Sequence, residues 1–280
     1  MDSVTLGDII VYALLGAGLL IFGRWLLTTH FGTKALQNIP ERRTRLPFWA
    51  PMAVLMVWVL SGHTVLSITN AAADVWQMSE PAKLALKYAG QLILYVLLTL
   101  MMCWFGWTYF VGRLKGFGLG LHNLRRDFGH AAGILLGVMP IVLAMVSAVI
   151  LVGRLFIDKN FEMPESEGLV VLTSHPYFWL KAIVFVHVGI VVPWYEELLF
   201  RGLFQSLIRD VTGTALRGWG SVVMTSVLFA LLHPTTHWPA LFVLSLAIGY
   251  SYEKSGSLIQ AILIHSFFNT SMMTAALLAE

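Results

Sequence analysis

The stretch Ile183-Val184-Phe185-Val186-His187-Val188-Gly189-Ile190-Val191-Val192-Pro193-Trp194-Tyr195-Glu196-Glu197-Leu198-Leu199-Phe200-Arg201 decides how this chain is read. From Ile183 to Pro193 it carries no formal charge. Two adjacent carboxylates and an arginine then fall within six positions, before apolar character resumes at Leu203-Phe204. An ionisable side chain at the bilayer centre costs at least ~2.5–3.5 kcal/mol, so such groups face a protein interior or a cavity and carry function. Three of them together mark a site.

Composition sets the class. Hydrophobic residues make up 58% of the 280 and charged residues 12%, about half the ~25% of soluble domains; mean hydropathy is +0.76. A span needs about 20 mostly apolar residues. The chain is therefore expected to be an all-α, polytopic bundle, a single integral membrane domain over 1–280. About eight transmembrane helices, near 9–27, 48–68, 84–111, 131–155, 180–203, 219–232, 238–252 and 258–278, would enclose a polar catalytic cavity. The sixth and seventh are short, which admits tilt or re-entry. Asp2 and Asp8 stand where a signal peptide would have a positive n-region, so the first segment reads as a span. The run Gly16, Gly18 and Gly23 reads as helix packing.

Basic residues are distributed unevenly. With alternating spans, 13 of the 18 Lys and Arg fall in or at the start of the loops after spans 1, 3, 5 and 7, counting Arg24 and Arg201 at the ends of spans 1 and 5. The positive-inside rule places those loops in the cytoplasm and both termini outside, as expected for a multi-pass protein of a bacterial-type cytoplasmic membrane. Anionic headgroups account for clusters such as Arg42-Arg43 and Arg125-Arg126, and the net charge of +3 implies no nucleic-acid partner. Cys103, the single cysteine, has no partner for an intrachain disulfide and reads as a core residue.

Within the acidic cluster, Glu197 and Arg201 are four apart and share a helix face, with Glu N-terminal to its partner. They read as a structural ion pair. Glu196 points about 100° away and lacks that partner, which suits it to general-base work. Two later segments add polar groups. Phe229-Ala230-Leu231-Leu232-His233 ends span 6, and His265-Ser266-Phe267-Phe268-Asn269 lies within span 8. His265 and Asn269 share a helix face and can present two donors to one point. His63 and His187 read as interior histidines. Glu196, His233, His265 and Asn269 together supply a base, a second water-orienting group and two oxyanion donors. His233 reaches the others only if span 6 is tilted or broken, which Gly218, Gly220 and Pro234 permit.

The ordered set EExxxR, FxxxH and HxxxN in successive apolar segments resembles the CPBP family of intramembrane proteases. That family includes the type II CAAX prenyl endopeptidases and the abortive-infection and bacteriocin-immunity relatives. Gly202, Gly249-Tyr250 and Ser255-Gly256-Ser257-Leu258 are also similar to the family pattern. The resemblance covers 186–270, a CPBP-like catalytic core. It implies Glu196 as base for a hydrolytic water, His233 as its partner, and His265 and Asn269 as the oxyanion site. Glu197, Arg201 and Phe229 would support them.

The resemblance implies a metal-independent glutamate-type endopeptidase with no cofactor. Zinc is the alternative, since Glu196, His233 and His265 are residue types that bind it; the HExxH signature is absent. The expected partners are the lipid bilayer and a peptide or membrane-protein substrate, which the sequence does not identify. Buried Glu, Arg and His also build proton relays, so a proton- or ion-coupled transporter is a second class. A non-catalytic scaffold or immunity protein is a third.

Overall fold

The computed structural model describes residues 5–40, 42–212 and 218–279. Helices dominate: α1 (Leu6–Thr28), α2 (Ala50–Val75), α3 (Glu80–Tyr109), α4 (Arg113–Phe117), α5 (Leu124–Phe156) and α6 (Glu167–Ser174). A continuous helical run follows from Phe178 to Thr212. It comprises α7 (Phe178–Val186), a π-helical turn (His187–Val191), α8 (Val192–Glu197), a second π-helical segment (Leu198–Gln205) and α9 (Ser206–Thr212). Then come α10 (Trp219–Leu231), a 3₁₀ turn (Thr235–His237), α11 (Trp238–Ser255) and α12 (Leu258–Ala279). Among the described residues the only bridge is Thr44 with Phe110.

Six of these helices are long and apolar enough to cross a membrane: α1 from Ile9, α2, α3, α5, the Phe178–Thr212 run and α12 to Leu278. They correspond to six of the eight expected spans. The other two are the 13-residue α10 and the 18-residue α11, and α11 carries Glu253 and Lys254 in its last turn. Polarity is inverted relative to a soluble bundle. Leu20, Leu27, Phe156 and Phe178 are exposed, while Glu197, Arg201, Gln205 and Glu253 are buried. Apolar side chains outside and hydrogen-bonding groups inside suit lipid as solvent.

The described residues fall into two compact units. The first comprises 5–40, 121–164 and 208–264 without the undescribed 213–217; the second comprises 42–120, 165–207 and 265–279. In the first unit α1 packs on α5, and α11 on α5 and α10. Gly18 permits the α1–α5 approach, because a Cβ there would lie 2.2 Å from the Leu136 carbonyl oxygen. A Cβ at Gly16 or Gly23 would meet nothing within 4 Å. Of that expected packing run, only Gly18 makes a close contact. Asp127, buried near the start of α5, accepts from Ser257 Oγ at 2.7 Å and ties α5 to the start of α12.

In the second unit α2 packs against α3. Tyr88, Val171, Leu172, Leu180, Val184 and Met273 form an apolar core. Phe117 inserts its ring between α3 and the Phe178–Thr212 run. A Cβ at Gly106 would come within 2.7 Å of that ring, and one at Gly202 within 2.5 Å. Gly202 is thus required by close approach rather than by a turn.

Candidate active site

The second unit gathers five of the singled-out residues. Glu197 and Arg201, neither with any exposure, lie one turn apart as the spacing predicts. Arg201 Nη1 is 3.2 Å from Glu197 Oε1 and 3.1 Å from Oε2. His265, from α12, places Nδ1 2.7 Å from the same Oε1. Facing a carboxylate, Nδ1 carries the proton and donates it. Glu197 therefore accepts from a guanidinium and an imidazole at once.

The same ring reaches Glu196. His265 Nε2 lies 3.8 Å from Glu196 Oε2, within ion-pair range but beyond a hydrogen bond. Glu196 is buried, with 9% of its surface exposed. Helix spacing alone implied an isolated carboxylate at this position. Instead, the imidazole of His265 stands between the two glutamates, held at one nitrogen by Glu197 and turned at the other toward Glu196.

Asn269 enters through a backbone device that the sequence patterns did not reveal. Val192 N–H bonds to the His187 carbonyl five residues back, the π-helical register. Pro193 brings no N–H, so in that register the carbonyl of Val188, five back from it, is left without its helical donor. Asn269 Nδ2 donates to that oxygen at 2.9 Å. The amide group has a second N–H for another acceptor. Single π turns recur at functional sites in helices, and here one lies on each side of Glu196-Glu197. The signal for the first was Pro193 inside an uncharged run.

An aromatic column backs the acidic pair. Tyr195 stacks on Tyr95 at 5.0 Å between centroids and meets Trp58 at 5.6 Å. Tyr95 stacks in turn on His187 at 5.4 Å, and Tyr88 meets that ring edge-on at 5.1 Å. His187 is thus the interior histidine expected of it. His63 is not, since it lies on the exposed face of α2 with Met56, Leu60 and Ser67, which no other described helix covers. Tyr195, wholly buried, has no hydrogen-bond partner at its hydroxyl. Sequence reading missed this column because its members come from three separate helical stretches.

His233 belongs to the first unit. It follows α10 in the turn before Pro234, half-buried. Its Nδ1 lies 2.8 Å from the Phe229 carbonyl oxygen, an acceptor only, so Nδ1 carries the proton and Nε2 presents a lone pair. Phe229, fully buried, packs its ring 4.7 Å from the imidazole. Trp238 Nε1 donates to the His233 carbonyl at 2.8 Å and pins the turn. Burial, together with the nearby His233, holds His237 below the ordinary imidazole value. Among the described residues, no three His, Cys, Asp or Glu side chains are arranged as a metal-binding group.

Comparison with known proteins falls on the same segment. Residues 178–271 match the family described as type II CAAX prenyl endopeptidase Rce1-like, which takes in every motif residue from Glu196 to Asn269 and bears out the resemblance read from them. The chain is also 36% identical over 84 residues to UPF0177 protein YxdF of Lactococcus lactis subsp. lactis (strain IL1403). That alignment covers 29% of this chain and 43% of the relative. No solved structure matches.

Proposed function

We propose, from the match at 178–271 and the geometry of its glutamates, that the chain is an intramembrane endopeptidase hydrolysing a peptide bond with glutamate-activated water. The carrying observation is the shared imidazole: His265 bonds to Glu197 at 2.7 Å and faces Glu196 at 3.8 Å. Glu197 is occupied by Arg201 and His265, which fits it to hold geometry. Glu196, faced by the second nitrogen of the same ring, is the carboxylate assigned to substrate water. In this reading the bundle has about eight membrane-embedded helices around a polar cavity, with both termini outside a bacterial-type cytoplasmic membrane.

The chemistry follows from those positions. Glu196 takes a proton from water, and the hydroxide attacks the scissile carbonyl carbon. His233, its Nε2 lone pair presented by the Nδ1 bond to Phe229, is the second group that orients or deprotonates that water. The oxyanion accepts from Asn269 and from His265. Donation through His265 Nε2 requires both ring protons, because Nδ1 is committed to Glu197. One oxyanion donor is worth ~2.7–4 kcal/mol in such sites. The intermediate collapses as the Glu196 carboxylic acid returns its proton to the leaving nitrogen. No metal takes part in this scheme. The substrate is a peptide or membrane protein; a prenylated CAAX peptide is one branch of that class.

The test uses the full chain in proteoliposomes with a fluorogenic peptide library that includes farnesylated CAAX peptides. Cleavage should survive exhaustive chelation and disappear in Glu196→Gln, with folding and insertion unchanged. Wild-type cleavage by Glu196→Gln overturns the base assignment. Loss on chelation with recovery on added zinc overturns the metal-free mechanism. Ion flux without cleavage favours transport instead.

A further inference from the structure

The first unit contains a cavity of about 800 Å³ that the hydrolytic reading does not use. This lies within the ~300–1,000 Å³ range of small-molecule sites. Its two ends differ in chemistry. Toward one lie Ile141 and Val138 of α5 and Val243 of α11; toward the other lie Arg126, His130, Tyr250 and Lys254. The α5 face from Arg126 to Ile141 rises about 22 Å at ~1.5 Å per residue, over half of a ~30 Å hydrocarbon core. An apolar slot of that length, closed at one end by basic groups, is shaped for an amphiphile.

The polar end is unsatisfied as it stands. Gln260 lines the cavity, is 3% exposed and donates through Nε2 to Ser251 Oγ at 2.8 Å. Its Oε1 has no hydrogen-bond partner. A buried acceptor left so costs about 1–3 kcal/mol; the oxygen itself is sealed, so a ligand hydroxyl removes that cost by drawing the Gln260 side chain toward the cavity it lines. The cations nearby are accessible. The Arg126 guanidinium is half exposed; its neighbour Asp127 is buried, accepts from Ser257 at Oδ2, and leaves Oδ1 3.8 Å from Arg126 without a hydrogen bond. Lys254 is exposed and uses one N–H on the Gln37 carbonyl at 3.0 Å. Two basic side chains at the mouth and an orphan acceptor behind them specify a headgroup that is anionic and carries a hydroxyl.

We propose that this cavity binds one phospholipid with an anionic, hydroxyl-bearing headgroup, its phosphate between Arg126 and Lys254 and an acyl chain along α5. The detergent-solubilised full chain is titrated with dioctanoyl phosphatidylglycerol, with dioctanoyl phosphatidylcholine and with inorganic phosphate, reading the thermal unfolding midpoint. Phosphatidylglycerol should raise the midpoint saturably, phosphatidylcholine should need at least tenfold higher concentration, and phosphate alone should do nothing. A Cβ at Gly133 or Gly129 would meet no atom within 4 Å, so a larger side chain there enters the cavity without a backbone clash. Gly133→Leu should abolish the lipid response without lowering the unliganded midpoint, since Leu is the better helix former, with Gly129→Leu as the second cavity-filling variant. Arg126→Gln with Lys254→Gln should bring the two lipids within twofold of each other. Equal responses of the wild type to both lipids, or an undiminished response in both cavity-filling variants, would overturn the proposal. So would stabilisation by farnesyl-cysteine methyl ester that is lost in Gly133→Leu, with none by phosphatidylglycerol.

Discussion

Replacing Arg201 by methionine tests whether Glu197 is scaffold. Methionine keeps most of the apolar stem and removes the guanidinium. Arg201 and Glu197 have no exposure, and their ion pair spans 3.1 Å. Removing one partner of a buried pair costs about 3–5 kcal/mol, because the other charge stays buried without compensation. His265 still donates to Glu197 in the variant, so the loss should fall near the lower end, about 3 kcal/mol. In the double variant Glu197→Gln, Arg201→Met no charge is stranded, and the Gln oxygen still accepts from His265. Replacing both members of such a pair is often close to neutral, so the double variant should recover to within about 1 kcal/mol of wild type. Whatever Glu197→Gln costs alone, the cycle then gives a coupling of at least ~2 kcal/mol, in or above the ~0.5–3 kcal/mol range for contacting residues. SDS titration in mixed micelles measures all four proteins. If Arg201→Met unfolds within 0.5 kcal/mol (about the noise of additivity) of wild type, or the double variant loses as much as the sum of the singles, the scaffold role is refuted. Activity adds a second reading: the double variant should retain cleavage that Glu196→Gln lacks.

Two further substitutions probe the contacts around the pair. Asn269→Ala strands the Val188 carbonyl and should cost about 1–3 kcal/mol; Pro193→Ala in that background restores an N–H and should recover part of the stability but none of the activity, and no recovery at all would show that Val188 is not the orphan. Gly202→Ala drives a Cβ to 2.5 Å from the Phe117 ring and should cost about 1–3 kcal/mol through overpacking, with Phe117→Leu as the compensating change; no effect in the melting curve of Gly202→Ala would mean that α4 yields freely.

Much of this arrangement is legible in the sequence, and the reasons are local. Hydropathy over about 20 residues finds α1, α2, α3, α5, the Phe178–Thr212 run and α12, because length and composition suffice. The four-residue spacing of Glu197 and Arg201 forecasts their contact, as an ideal turn requires. Other features escape for equally physical reasons. The π register at His187–Val191 shifts hydrogen bonding by one residue without changing hydrophobicity, so a 3.6-residue pattern is blind to it. The pairing of His265 with Glu197 spans 68 positions, a distance that helix geometry does not bridge. Gln260 and Ser251 look like ordinary polar residues near a helix end. Only the packing of α11 beside α5 makes the Gln260 oxygen an orphan beside a cavity.

The bond between His265 and Glu197 also has a consequence in time. The imidazole lies 68 residues after the carboxylate, and ribosomes add ~5–20 residues per second, so it arrives about 3–14 s later. During that interval Glu197 already has Arg201 one turn away, which offsets its charge while the helix enters the bilayer. Glu196 has no imidazole facing it until α12 is made. A nascent chain would thus carry the Glu196 carboxylate into the membrane without the imidazole that faces it in the folded protein.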